Sequence, residues 1–142
     1  MKVIIGDAVE LAANNGGVLV HQVNCQRTAN SGIAKQIRNR FPKWYDHYVK
    51  QDPYLGKVDI FRDNDTLIVS FYAQDKYGGP RRQTDYDAFE KCLQNFNQID
   101  GKGIYIPYMI GCGLGRGDWQ VISALLESYL PAATIVKLKL YE

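Results

Sequence analysis

Four glycines fall within seven residues, at Gly111, Gly113, Gly115 and Gly117, between an apolar run over 103–108 and Asp118. Without a Cβ, glycine lets successive backbone N–H groups turn to one side and come close to a phosphate. The run before them reads as a buried strand and the residues after Asp118 as a helix, whose N-terminal end adds partial positive charge. The segment is no nucleoside-triphosphate loop, because no Lys-Ser or Lys-Thr closes it. It also follows the fifth strand, whereas a dinucleotide fingerprint would follow the first. A glycine-rich connection without a ligand is the plain alternative.

A second loop, over 23–34, again joins a buried strand to a helix start. Asn24 stands at the strand's end, where open α/β sheets place ligands, and its carboxamide both donates and accepts. The same chemistry suits a residue that braces the loop. Together the segments 30–32 and 111–117 read as a grip on the diphosphate of a nucleotide-like ligand. Asp7, after the first strand, is either the N-cap of the next helix or a carboxylate that accepts from an exocyclic amine. Cys112 stands near a helix N-terminus, a place that can activate a thiolate, but a cysteine between glycines is more simply a small packing residue.

The elements that must position these residues alternate between strand-like and helix-like apolar spacing, the pattern of an α/β domain. Strands are predicted over 3–5, 18–23, 58–61, 66–72, 103–108 and 134–140. The third and fourth form a hairpin around 62–65. A helix over 8–13 is capped by Asp7 and ended by Gly16-Gly17. Ile33, Ile37 and Phe41 mark a helix with Ser31 as N-cap and Pro42 as stop, and a further helical face runs from Trp44 towards Pro53. Residues 73–83 read as a loop. Thr84 and Asp87 have capping-box spacing ahead of the stripe Tyr86, Phe89, Leu93, Phe96. The count is six strands and about five helices.

Composition narrows the function classes. The 142 residues suit one domain, and 46% hydrophobic with 23% charged residues is ordinary for a folded globular chain. A net charge of +2 is too small to signal nucleic-acid binding. Lys35, Arg38, Arg40, Lys43, Arg81 and Arg82 read as a solvated basic strip. Three distant cysteines without a CxxC pair argue against a disulfide framework and a structural zinc site, and two histidines against a histidine-rich metal site. No metal or cofactor is expected. The apolar N-terminal run is too short for a signal peptide or membrane span, so the expectation is a cytoplasmic monomer without membrane partners.

His21-Gln22-Val23-Asn24-Cys25-Gln26, Ser31-Gly32-Ile33-Ala34, and Ile106-Pro107 through Ile110-Gly111-Cys112-Gly113-Leu114 to Trp119 together resemble a macrodomain, the ADP-ribose-binding fold. The resemblance spans the whole chain and implies a single three-layer α/β/α domain over 1–142 with a mixed, roughly six-stranded sheet. The Ile-Gly-Cys-Gly-Leu loop followed by Trp119 is similar to the branch containing the terminal ADP-ribose protein glycohydrolase and the ADP-ribose-1″-phosphate phosphatase. Gln74 with Thr84-Asp85-Tyr86-Asp87-Ala88 resembles small bacterial and phage members.

Position by position, the resemblance assigns Asp7 to the adenine amino group and the Ala8 N–H to the ring. It lays Ser31, Gly32 and Ile33 along one side of the diphosphate, and Gly111, Cys112, Gly113, Leu114, Gly115 and Arg116 along the other. Tyr141 would stack on adenine, and Asn24 would face the distal ribose. The implied partner is ADP-ribose or an ADP-ribosylated substrate. The implied activity removes a group from the distal ribose, either a 1″-phosphate or an attached macromolecule, with Asn24, His21 and Asp118 as catalytic candidates. The alternative is a non-catalytic reader.

Two departures stand out. Gly115 occupies the place where the glycohydrolases keep an aspartate, with Lys76 the nearest match to their lysine. Arg27 and Asn30 stand where small members carry glycines. A histidine three residues before Asn24 fits the phosphatases, and an imidazole of pKa ~6.5 suits acid–base chemistry. Regular strand alternation would instead put His21 and Asn24 on opposite faces, so a core role for His21 stays open.

Overall fold

Strands β2 (Val18–Asn24) and β4 (Thr66–Gln74) are buried along their whole length. Their near-continuous apolar runs suit strands covered on both faces and paired on both edges. In the computed structural model, which describes residues 1–77, 79–96, 101–113 and 115–141 (Tyr141 by its backbone alone), they sit inside a six-stranded mixed sheet. The other strands are β1 (Lys2–Ile5), β3 (Val58–Asp63), β5 (Ile104–Pro107) and β6 (Thr134–Lys137), and the order is β1-β6-β5-β2-β4-β3. All neighbours pair in parallel except β3 and β4, which form the predicted hairpin.

Five α-helices cover the two faces: α1 (Ala8–Asn15), α2 (Gly32–Arg40), α3 (Pro42–Tyr48), α4 (Tyr86–Asn95) and α5 (Trp119–Tyr129). On one face Leu19 and Val23 pack with Ala12, Ile37, Trp44 and Tyr48 of α1, α2 and α3. On the other, Val20, Val69 and Phe71 pack with Phe89, Leu93, Ile122 and Leu126 of α4 and α5. This is the expected α/β/α sandwich. No helix among the described residues is long and apolar enough to cross a membrane.

Four expectations about element ends are corrected. β6 stops at Lys137, because its partner β1 offers only four residues, and the chain continues as a 3-10 turn over Lys139–Tyr141. α3 ends at Tyr48, well before Pro53. β4 runs on to Gln74, which forms a bridge with Thr84 inside the segment predicted as loop. The N-cap of α4 is Asp85, whose carboxylate accepts from the Ala88 N–H at 2.9 Å; the Thr84 hydroxyl is used elsewhere.

This topology fixes where a ligand can lie. The loops after β1, β2, β4 and β5 all leave from the C-terminal ends of parallel strands, the usual ligand side of an α/β sheet. β2 and β5 are neighbours, so the loop bearing 30–32 and the loop bearing 111–117 rise from adjacent strands. Asp7 leaves from β1, three strand positions from β2, a span of about 14–15 Å at ~4.8 Å per strand.

Candidate functional site

The start of α2 leaves backbone N–H groups unpaired on this side. Ser31 takes the N-cap position but makes no side-chain bond to the helix, and the N–H groups of Gly32, Ile33 and Ala34 have no hydrogen-bond partner among the described residues. The other helix starts differ. Asp7, Asp85 and Asp118 each accept a first-turn N–H of α1, α4 and α5, and α3 begins with Pro42. A Cβ at Gly32 would meet nothing within 4 Å. The result is an open helix N-terminus with three free donors, a natural seat for an anion.

On the loop that leaves the adjacent strand β5, the glycines of the segment 111–117 divide into two kinds. Gly113 is exposed and a side chain there would meet nothing within 4 Å. Gly111, Gly115 and Gly117 face inward instead. A Cβ on Gly111 would stand 2.8 Å from Gln22 Oε1, one on Gly117 would stand 2.7 Å from the Gly111 carbonyl oxygen, and one on Gly115 would overlap the Thr84 hydroxyl. Gly111 also holds φ +73°, the left-handed region that glycine adopts without strain. Inward packing therefore demands three of the glycines that the sequence pattern assigned to ligand approach. Leu114 and the Tyr141 side chain lie outside the described residues.

Asp7 caps α1 with one oxygen: Oδ1 accepts from Val9 N at 3.0 Å and Glu10 N at 3.2 Å. Its Oδ2 and the Ala8 N–H have no partner among the described residues. The helix-cap reading of Asp7 holds, and it uses one carboxylate oxygen only.

The three residues put forward for catalysis are not gathered at one point. His21 is fully buried, its Nε2 lies 2.8 Å from Ser70 Oγ, and its ring stands edge-on to Trp44 at 5.1 Å. Burial lowers its pKa to about 3, so the imidazole is neutral at physiological pH. It is a core residue with no exposed surface, which corrects the acid–base expectation. Asn24 braces its loop: Nδ2 donates to the Thr28 hydroxyl (2.8 Å) and carbonyl (3.2 Å), and Oδ1 accepts from Gln26 N (2.9 Å) and Thr28 N (3.3 Å). The Tyr48 hydroxyl lies 2.9 Å from the Asn24 carbonyl oxygen as well. The pairing with β4 skips Ala73 between Val23 and Asn24, and at this strand end both side chains meet α3: the His21 ring lies against Trp44 and Asn24 Oδ1 is 3.3 Å from the Tyr48 hydroxyl. Asp118 is exposed, and its Oδ1 caps α5 through Gln120 N at 2.8 Å.

Cys112 is half-buried, and burial together with the nearby Asp118 carboxylate pushes its thiol up to about 11. That is the opposite of an activated thiolate. Arg116, with φ +58°, donates to the Gly79 carbonyl at 2.9 Å, tying the glycine loop to the segment after β4.

The sequence reading missed a buried polar cluster beneath the glycine loop, formed by Gln22, Gln74 and Thr84. The signal was present: a glutamine inside a strand otherwise read as fully buried requires partners. A surface groove of about 510 Å³ lies elsewhere. It is lined by Gly16, Asp65 and Lys102 among others, at the N-terminal ends of β2, β4 and β5, far from the open helix start.

No family model matches the chain. A 17.5 kDa protein from the tk-vs intergenic region of Enterobacteria phage T4 is 31% identical over 150 residues, covering 96% of this chain and 94% of that protein. Among solved structures, the macrodomain protein from Streptomyces coelicolor superposes with a TM-score of 0.75 at 15% identity over 97% of each chain. The Thermosipho africanus DarTG, solved in complex with ADP-ribose, superposes with a TM-score of 0.76 at 18% identity, over 100% of this chain and 43% of that one. At such identities these structures establish the shared fold.

Proposed function

We propose, from the premise that this chain belongs to the same family as the phage T4 17.5 kDa protein and is a macrodomain by fold, that it binds ADP-ribose at the C-terminal ends of β1, β2, β5 and β6. The observation that carries this reading is the uncapped start of α2, with three unpartnered N–H groups beside the open Gly32. A diphosphate there would accept from those N–H groups and gain the favourable end of the helix dipole. Gly113, open to solvent on the loop of the adjacent strand, would bound its other side. The leftover oxygen of Asp7 would accept from the adenine amino group and the Ala8 N–H would donate to the ring.

Hydrolysis at the distal ribose is the finer reading. Of the three candidates, only Asp118 is exposed, and it would act by orienting a water with the oxygen not used to cap α5. His21 is buried and neutral, and the Asn24 carboxamide is already engaged at both ends. The second reading, a non-catalytic reader of free or attached ADP-ribose, draws its support from that engagement.

Calorimetric titration of ADP-ribose into the wild type, Asp7→Ala and Gly113→Glu tests the binding. Wild-type binding in the micromolar range, lost in both folded variants, is the expected result. Unchanged binding by Gly113→Glu would refute the diphosphate assignment. Incubation with ADP-ribose-1″-phosphate and mono-ADP-ribosylated protein separates the two readings, since turnover above buffer requires the hydrolase.

A further inference from the structure

We propose that Gln22 and Thr84 are positioning residues that set the glycine loop through one buried chain of hydrogen bonds. The chain runs from carbonyl to carbonyl. Gln74 Nε2 donates to the Lys76 carbonyl at 2.7 Å, which turns Gln74 Oε1 towards Gln22. Gln22 Nε2 spends one hydrogen on Gln74 Oε1 at 3.0 Å and the other on Thr84 Oγ1 at 2.9 Å. The Thr84 hydroxyl passes its own proton to the Gly111 carbonyl at 2.6 Å. Both ends are pure acceptors, so each amide and the hydroxyl have a single consistent orientation.

The chain has consequences for the loop because of where it ends. The Gly111 carbonyl oxygen that receives Thr84 also accepts from the Gly117 N–H at 2.8 Å, tying the two ends of the glycine segment at one atom. The Gly115 carbonyl accepts in turn from Gln83 N (2.8 Å) and Thr84 N (2.9 Å). Gln22, Gln74 and Thr84 are 9%, 8% and 2% exposed, so losing one member leaves another buried and unpaired. Gln22 Oε1, buried and without a partner among the described residues, fills the space a Gly111 side chain would need. The cluster thus dictates both the glycine at 111 and the direction of its carbonyl. That the loop so positioned holds ADP-ribose rests on the proposed function; the positioning itself does not.

The test is amide hydrogen exchange at Gly117 in the full chain, with ADP-ribose calorimetry alongside, for Thr84→Val, Thr84→Ser, Gln22→Met and the core control Val69→Ala. Thr84→Val removes the hydroxyl at constant shape. Relative to the change in global stability, it is expected to raise Gly117 exchange about tenfold, the equivalent of one net hydrogen bond. Gln22→Met is expected to raise it by a smaller factor, and Thr84→Ser to stay within about twofold of wild type. Where wild type binds ADP-ribose, affinity follows the same order. Exchange in Thr84→Val and Gln22→Met no greater than in Val69→Ala would overturn the proposal, and Gln22→Met decides it alone if Thr84→Val does not fold. A wild type that binds no ADP-ribose refutes the proposed ligand, while the exchange comparison still decides the positioning.

Discussion

A side chain at Gly115 would overlap the Thr84 hydroxyl, whereas one at Gly113, two residues earlier, would meet nothing within 4 Å. The two glycines therefore answer different questions. Gly115→Ala forces Thr84 or the Gly111 carbonyl aside, and overpacking of this kind costs about 1–3 kcal/mol. Gly113→Ala is expected to stay within about 0.5 kcal/mol of wild type, as surface substitutions usually do. Gly115→Asp, which pushes a larger and charged side chain into the same space, should melt earlier still. Thermal denaturation of the three variants checks this, and equal melting points for Gly113→Ala and Gly115→Ala would contradict the division.

That division also shows how far the sequence could be read. Strand and helix periodicity located six strands and five helices, because central strands and two-sided helix packing leave strong apolar patterns. Asp7 and Gly16 announced the ends of α1 through local chemistry that acts within a few residues. The inward glycines were not distinguishable from the open ones, since their neighbours Gln22 and Thr84 are distant in sequence. Likewise the capping-box spacing at Thr84 was overridden: its hydroxyl found the Gly111 carbonyl, and Asp85 took the cap. His21 in a buried strand carried two readings until Ser70 and Trp44 were placed around it.

Burying His21 makes stability depend on pH. Its pKa is 6.5 in an ordinary setting and about 3 in the fold, so between these values the unfolded chain binds the extra proton. Stability from this group is complete above about pH 6.5 and falls by about 1.4 kcal/mol for each pH unit below it, down to about pH 3. Urea denaturation at pH 7 and pH 5 is expected to show roughly 2 kcal/mol more loss in wild type than in His21→Leu, whatever that variant's stability at pH 7. Equal losses in the two proteins would mean that His21 is not buried neutral.

Cys112 offers a second titration. With its thiol near 11, the thiolate fraction is still growing tenfold per pH unit from pH 8 to pH 10. Peptide-resolved alkylation by iodoacetamide should therefore climb steadily across that range. An ordinary thiol near 8.5 levels off above about pH 9. A plateau at Cys112 by pH 9, or rapid labelling at pH 7, would restore the nucleophile reading.

Asp7 and Asn24 separate binding from bracing. Asp7→Asn keeps an Oδ1 that can cap Val9 and Glu10, so stability should change by less than about 1 kcal/mol. Its other terminal atom becomes an N–H donor, which opposes an adenine amino group and should weaken ADP-ribose binding at least about tenfold. Asn24→Ala acts the other way round. It strips the acceptor from Gln26 N and Thr28 N and the donor from the Thr28 hydroxyl, a loss of about 2–4 kcal/mol when several part-buried groups are left unpaired. Its effect on affinity should follow from the loosened loop that carries residues 31–33, and so should shrink when stability is restored by an osmolyte. Melting curves and calorimetry on both variants, with and without the osmolyte, make the comparison. If Asp7→Asn binds as tightly as wild type, the carboxylate is a helix cap and nothing more, and the adenine end of the ligand must lie elsewhere.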